Sequence, residues 1–208
     1  MKAILDYLIA AYDPHTIILY GSYADGSNSA GSDFDALIIT DRVCAAHDGS
    51  IMDHIPLDVF IYHTSAFDGE VDYSGFAQLH DGAILLDTRG MGRKLRDGVL
   101  AYMGQLPPKS DAEKRHQVEW CEKMLLRAAR NDAEGAYRWH WLLTESLEIY
   151  FDLCGLPFLG PKKALAAMRA RDERAFACYS RALLTFEYGA AEEWVRYLRA
   201  KLDHPAEG

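Results

Sequence analysis

The sequence of 208 residues is poor in cysteine and has no apolar stretch of the roughly 18 to 20 residues that span a bilayer. Its four cysteines lie far apart and form no CxxC pair, which argues against a zinc knuckle or a disulfide framework. These cysteines are Cys44, Cys121, Cys154 and Cys178. The N-terminus also lacks the small-residue cleavage site of a signal peptide. We therefore expect a cytoplasmic protein with no membrane partner.

Several common ligand-binding motifs are missing as well. The sequence has no G-x-x-x-x-G-K-[ST] and no G-x-G-x-x-G after a strand, which excludes a P-loop and a Rossmann dinucleotide site. Its eight histidines include no H-x-x-x-H pair, so no zinc site is predicted.

Basic residues are scarce in the first half of the chain. Residues 1–108 hold 15 acidic and 6 basic residues, whereas residues 109–208 hold 16 of each, so the first half carries the whole net charge of −9. Such a surface repels nucleic acid backbones, and it attracts metal ions and cationic small molecules. A nucleic acid partner is therefore disfavoured.

The order of elements predicts an α+β protein of two domains. Strands and helices are mixed over residues 1–106, a Pro-Pro linker follows, and residues 110–204 read as helices only. The predicted strands are 16–20, 34–40, 56–62 and 82–87. The predicted helices are 3–12, 110 to about 130 (after a capping box at Ser110 and Glu113), 133–153, one that begins at 160–161, 171–184 and 190–202.

Three aspartates interrupt or border apolar strands in the first domain. Asp33 and Asp35 are two residues apart at the start of a strand, so their side chains point to the same face. Asp58 lies within the apolar strand 56–62. Carboxylates held close together repel one another unless a cation lies between them, and hard oxygen ligands suit Mg²⁺. Asp33, Asp35 and Asp58 are therefore candidate ligands of two Mg²⁺ ions of the kind used for phosphoryl displacement.

A phosphate-binding turn is predicted beside these acids. Gly21 and Ser22 leave the strand 16–20 and enter a Gly/Ser-rich loop whose backbone N–H groups can contact phosphates. Glycine lets the backbone approach a ligand closely, and the Ser22 hydroxyl adds a donor.

The whole stretch GSYADGSNSAGSDFDALII resembles the G-S-x(10)-D-x-D signature of the DNA polymerase β-type nucleotidyltransferase superfamily. The resemblance implies a small mixed β-sheet flanked by helices, followed here by an all-helical bundle domain. It further implies that Asp33, Asp35 and Asp58 bind two Mg²⁺ ions, and that Gly21 and Ser22 bind the phosphates of an NTP, with ATP as the first candidate. Asp58 would also help to deprotonate an acceptor hydroxyl.

The helical half resembles, more loosely, the C-terminal half of aminoglycoside and lincosamide nucleotidyltransferases. There the helical domain closes over the nucleotide and contributes to the acceptor pocket. In this chain Glu145 is the candidate second general base, on an acidic helix face that includes Trp141. Lys162 and Lys163, near a predicted helix N-terminus, are candidate phosphate contacts. The alternatives are a solvated acidic face and an ordinary exposed lysine pair.

The favoured function is transfer of a nucleoside monophosphate, with AMP as the first candidate, to a hydroxyl of a small, antibiotic-like acceptor, with release of pyrophosphate. Two alternatives stay open: an MNT-type antitoxin that nucleotidylates a protein or tRNA, and a non-catalytic nucleotide-binding protein. A homodimer is also left open.

Overall fold

A mixed β-sheet followed by helices makes this an α+β protein, as predicted. The computed structural model describes residues 1–42, 46–130 and 132–204, so Cys44 lies outside the described residues.

The chain divides into two units, Met1–Leu106 and Pro107–Gly208. The elements of the first unit are α1 (Lys2–Tyr12), β1 (Thr16–Leu19), α2 (Ser22–Asp25), β2 (Phe34–Thr40), β3 (Ala46–Asp48), β4 (Ile51–Met52), β5 (Ile55–His63), two 3₁₀ segments (Thr64–Phe67 and Tyr73–Leu79), β6 (Ala83–Asp87) and α3 (Met91–Gln105).

The strands of the first unit form one sheet in the order β3-β5-β2-β1-β6, with β4 paired to the start of β5. The central strand pair β2–β5 is parallel, while β1 runs antiparallel to both β2 and β6. All four residues of β1 are buried, which explains its continuous apolar and β-branched sequence. The sheet therefore brings the end of β1 beside the start of β2 and of β5.

Each face of the sheet packs against its own layer. Because side chains alternate along a strand, β1 and β2 supply two separate apolar clusters. One cluster joins alternate strand residues, such as Ile17 and Phe34, to Ile4 and Leu8 of α1. The other includes Ile18, Tyr20, Leu37 and Ile39 together with residues of the second 3₁₀ segment and α3. Asp35 belongs by alternation to the second face.

The strands β3 and β4, the helix α3 and the two 3₁₀ segments of the first unit were not predicted. The strands β3 and β4 belong to an antiparallel arm that folds back on β5. The two-residue connection between β4 and β5 consists of Asp53 and His54, both at positive φ, as in a type I′ hairpin. The helix α3 contains Gly98, where an added Cβ would lie 2.2 Å from the Tyr73 ring. Glycine weakens a helix but allows this close packing, so the tertiary contact outweighs local propensity.

The second unit consists of helices, as predicted. They are α4 (Asp111–Ala128), α5 (Ala133–Cys154), α6 (Pro161–Arg171), α7 (Glu173–Thr185) and α8 (Tyr188–Asp203). The predicted capping box of Ser110 and Glu113 begins α4. Trp194 of α8 is fully buried, and its indole N–H donates to the Ser146 hydroxyl at 2.9 Å. This hydrogen bond satisfies the polar atom of the buried Trp194 ring, as is usual for a tryptophan in a protein core.

Within the part of the chain that the structure describes, no helix combines the length and the apolar character needed to cross a membrane.

Candidate active site

The backbone of Gly21 packs directly against the side chain of Asp35. Gly21 has φ +66°, a conformation that L side chains rarely adopt. A Cβ added to Gly21 would lie 2.3 Å from Asp35 Oδ2, so no other residue fits without moving that carboxylate. The Tyr20 N–H donates to the Asp35 carbonyl at 3.0 Å, which fixes the two strands at this point. The glycine that the sequence marked for close backbone approach therefore lies at the carboxylate.

Asp35 and Asp58 are direct neighbours across the sheet. They are register partners on the parallel strands β2 and β5, and parallel neighbours point to the same face. Both side chains are partly buried. The structure thus brings together two of the three aspartates through a pairing that is distant in sequence.

Burial and the closeness of these acids raise the pKa of Asp35. Burial, and then the negative charges of Asp58 and Asp33, raise the pKa of Asp35 to about 6. Burial raises the pKa of Tyr20 as well, and the charges of Asp58 and Asp35 add to this shift. A site in which negative charges repel one another in a half-buried location is one that a cation would stabilise.

Asp33 and Ser22 lie at the rim of this site. Asp33 immediately precedes β2 and is exposed to solvent. Ser22 is partly buried and begins the short helix α2, whose N-cap is Gly21. The Gly21 carbonyl accepts the N–H groups of Ala24 and Asp25. The turn is therefore a defined structure that joins the end of β1 to the loop before β2.

His47 is a site residue that the sequence analysis missed. Its Nε2 lies 2.6 Å from Asp58 Oδ1, and its ring centroid lies 4.9 Å from that of Phe60. The pair Asp48-Gly49 is typical of a turn, and it could have indicated that a strand ends at this point. A strand of three residues is too short to show alternation, so the approach of His47 to Asp58 could not be read from the sequence.

The donor chemistry of the site fits Mg²⁺, because two carboxylates on one face supply the hard oxygen ligands that this ion prefers. No group of three His, Cys, Asp or Glu side chains in residues 1–42, 46–130 and 132–204 is arranged to hold a metal ion. Asp58 is hydrogen-bonded to His47, and Asp33 lies just before the strand β2 that carries Asp35. The three-carboxylate ligand set for two ions therefore stays a prediction.

Glu145 lies in the second unit, at an aromatic and acidic cavity of about 280 Å³ between α4 and α5. The cavity lining consists of His116, Gln117, Trp120, Trp141, Glu145, Glu148 and Ile149. The rings of Trp120 and Trp141 meet edge to face at 5.7 Å. Burial and the charges of Asp152 and Glu145 raise the pKa of Glu148. The acidic face with an aromatic residue is thus part of a concave surface.

The two candidate lysines lie at the start of α6, after Gly160. Lys162 is exposed and Lys163 is partly buried, and Pro161 occupies the first helical turn. Their contact with phosphate stays a prediction. Arg89, which follows β6, forms an ion pair with Asp41.

Comparison with a family model agrees with the geometry of the first unit. Residues 1–81 match the family model described as nucleotidyltransferase domain. A comparison with curated proteins finds no match. A solved structure of a nucleotidyltransferase-like protein from Exiguobacterium sibiricum 255-15 is 13% identical, with a TM-score of 0.43, over 97% of this chain and 73% of that one.

The matched segment contains the Gly21–Ser22 turn, the strand acids Asp35 and Asp58, and Asp33. The match supports transfer of a nucleoside monophosphate as the class of reaction. Residues 1–81 therefore belong to the nucleotidyltransferase domain family of the DNA polymerase β-type superfamily.

Proposed function

We propose that the protein is a Mg²⁺-dependent enzyme that transfers a nucleoside monophosphate from an NTP to a hydroxyl of a small cationic acceptor. AMP from ATP is the first candidate for the transferred group, and an aminoglycoside- or lincosamide-like molecule is the first candidate for the acceptor. The observation that carries the proposal is the register pairing of Asp35 with Asp58, with the Gly21 backbone packed against Asp35.

In the proposed reaction, the acceptor oxygen forms a bond to the α-phosphorus. The bond from that phosphorus to the oxygen bridging to the β-phosphate breaks, and pyrophosphate departs. The hydroxyl proton passes to Asp58 or to Glu145, each of which is a carboxylate that can act as a general base.

The remaining roles follow from position and charge. Asp33, Asp35 and Asp58 would hold two Mg²⁺ ions, which when bound neutralise charge on the attacking and leaving oxygens. Gly21 and Ser22 bind the β- and γ-phosphates through backbone N–H groups and the serine hydroxyl. Lys162 and Lys163 add positive charge for the phosphates at the N-terminus of α6. In this proposal residues 1–106 are the catalytic domain, and residues 110–204 are the helical domain that takes part in nucleotide and acceptor binding.

The cavity beside Glu145 supports a cationic acceptor. Carboxylates and indole rings both attract ammonium groups, the rings through their negative faces. Gln117 Oε1 is buried at this cavity and has no hydrogen-bond partner among the described residues. An N–H or O–H group of a bound acceptor would satisfy that oxygen, which otherwise carries a desolvation cost. A positive charge would also relieve the mutual repulsion of Glu145 and Glu148.

The test is a label-transfer assay with a panel of aminoglycoside and lincosamide acceptors, a purified tRNA fraction and the protein alone. ATP carries ³²P at either the α- or the γ-position, and each reaction is run with Mg²⁺ and with EDTA. We expect label from the α-position only, on a small cationic acceptor, together with an equal amount of pyrophosphate. Asp35→Asn should abolish transfer, while Asp6→Asn, an exposed change on α1, should not.

Transfer of the γ-label, or transfer that persists in EDTA, would contradict the proposed reaction. Label that appears only on tRNA or on the protein would refute the small cationic acceptor and favour nucleotidylation of a macromolecule.

A further inference from the structure

His47 lies on the face of the sheet that carries the candidate metal ligands. It pairs with Phe60 across the antiparallel strands β3 and β5, and Asp58 precedes Phe60 by two residues. Alternation along β5 places Asp58 and Phe60 on one face, and a directly paired residue shares that face. His47 therefore reaches Asp58 along the cross-strand diagonal, and the resulting Nε2–Oδ1 distance is 2.6 Å.

The strand that carries His47 is held from its opposite side. The next residue, Asp48, is only 7% exposed and accepts hydrogen bonds from the hydroxyls of Tyr7 (3.0 Å) and Tyr12 (2.8 Å). Asp48 also accepts the Ser50 N–H at 2.9 Å. An edge strand of three residues has few ladder bonds of its own, so these contacts tie it to α1. The imidazole is thus placed by a fixed backbone and by its packing on Phe60.

The hydrogen bond to His47 limits the conformations that the Asp58 carboxylate can adopt. Its side chain is 41% exposed, and among the described residues it makes no hydrogen bond other than the one to His47. A half-exposed aspartate with no partner samples several side-chain conformations, and fixing it on binding would cost conformational entropy. A short hydrogen bond to one carboxylate oxygen removes much of that freedom and leaves Oδ2 open to a ligand.

We propose that His47 is a positioning residue, which holds Oδ1 of Asp58 so that Oδ2 is presented to a divalent cation or to the acceptor hydroxyl. This inference rests on the proposed function, because it assigns Asp58 to that site. His47 itself would not touch the transferred group. Its contribution would be to pre-organise a carboxylate that the strand alone leaves mobile.

The experiment compares His47→Leu with His47→Gln. Leucine keeps apolar packing on Phe60 and removes the hydrogen bond, whereas the amide nitrogen of glutamine can take the place of Nε2. Mn²⁺ binding is measured by calorimetry without nucleotide, and kcat and KM for the NTP are measured separately. Thermal unfolding in EDTA verifies that each variant folds, which we expect because His47 is half-exposed.

Loss of an outer partner of a metal-binding carboxylate typically costs 10- to 100-fold in affinity or activity. We therefore expect His47→Leu to weaken Mn²⁺ binding and to lower kcat by about tenfold or more, with a smaller change in KM. His47→Gln should recover most of both losses. Wild-type behaviour of His47→Leu would overturn the proposal, and so would a glutamine variant as impaired as the leucine variant.

Asp35→Asn separates this inference from the proposed function. If the wild type binds Mn²⁺ in a manner that depends on Asp35 and His47→Leu binds it equally well, only the role of His47 fails. If the wild type binds no Mn²⁺, the metal site and the role of His47 both fail.

Discussion

The charge on Asp35 should destabilise the metal-free protein, and its removal should stabilise the fold while abolishing catalysis. Burial and the neighbouring carboxylates raise the pKa of Asp35 from 3.8 to about 6. Each unit of pKa corresponds to about 1.4 kcal/mol, so the charge on Asp35 lowers the free energy of unfolding by at most about 3 kcal/mol. Because the side chain is only partly buried, solvent screening reduces this to about 1–2 kcal/mol.

The pH dependence has a definite sign. Below about pH 4 the Asp35 carboxyl is protonated in both the folded and the unfolded chain, so it contributes nothing. Between about pH 4 and pH 6 the unfolded chain loses this proton first, and the free energy of unfolding falls as the pH rises. Above about pH 6 the carboxyl is ionised in both states, and the full loss of unfolding free energy is present. Asp35→Asn should therefore match the wild type near pH 4 and exceed its stability at pH 7.

Thermal unfolding in EDTA at these two pH values measures the effect. For a chain of this length 1–2 kcal/mol corresponds to a rise in Tm of about 2–8 °C at pH 7. Asp6→Asn removes one negative charge from an exposed position and should leave Tm unchanged. A lower or equal Tm of Asp35→Asn at pH 7, or an equal shift at both pH values, would refute the argument that burial and the neighbouring carboxylates destabilise the charged form of Asp35.

Three further substitutions test the other parts of the site. Gly21→Ala should lose more stability than Gly26→Ala and should also lose NTP binding. Alanine in the left-handed conformation of Gly26 costs about 1–2 kcal/mol. Gly21 combines positive φ with ψ −153°, a region that essentially only glycine adopts, and of the two positions only Gly21 abuts Asp35. Equal losses of unfolding free energy would argue against the close packing. Glu145→Gln should lower kcat about 100-fold if Glu145 is the general base, whereas an unchanged kcat would make it part of a solvated face. Lys163→Gln should raise KM for the NTP several-fold with little effect on kcat, and an unaltered KM would remove it from the phosphate site.

The sequence predicted the parts of the site that depend on local pattern. Asp35 and Asp58 each interrupt an apolar strand, and an isolated carboxylate in such a run needs a partner. Gly21 follows a buried strand and opens a turn, which indicates close backbone approach. These patterns are local, so the strands and the acids could be identified from the sequence.

Features that arise from pairing between distant segments could not be read in this way. The register that places Asp35 beside Asp58 depends on the parallel pairing of β2 with β5. His47 reaches Asp58 only because a three-residue strand folds back on β5. The helix α3 carries Gly98 within it, which lowers the helix propensity of this segment, and the reason for a glycine there is its close contact with the distant Tyr73 ring.

The most direct test of the account is a thermal-shift panel of the four NTPs, each with Mg²⁺ and with EDTA, on the wild type and on Asp35→Asn. A ligand that binds only the native state raises Tm, by an amount equivalent to about 2.7 kcal/mol at 100 times its Kd. We predict that at least one NTP raises the wild-type Tm only when Mg²⁺ is present, and that Asp35→Asn shows no such shift. No shift with any NTP and Mg²⁺ at millimolar concentration, or an equal shift in Asp35→Asn, would contradict a metal-dependent nucleotide site at these aspartates.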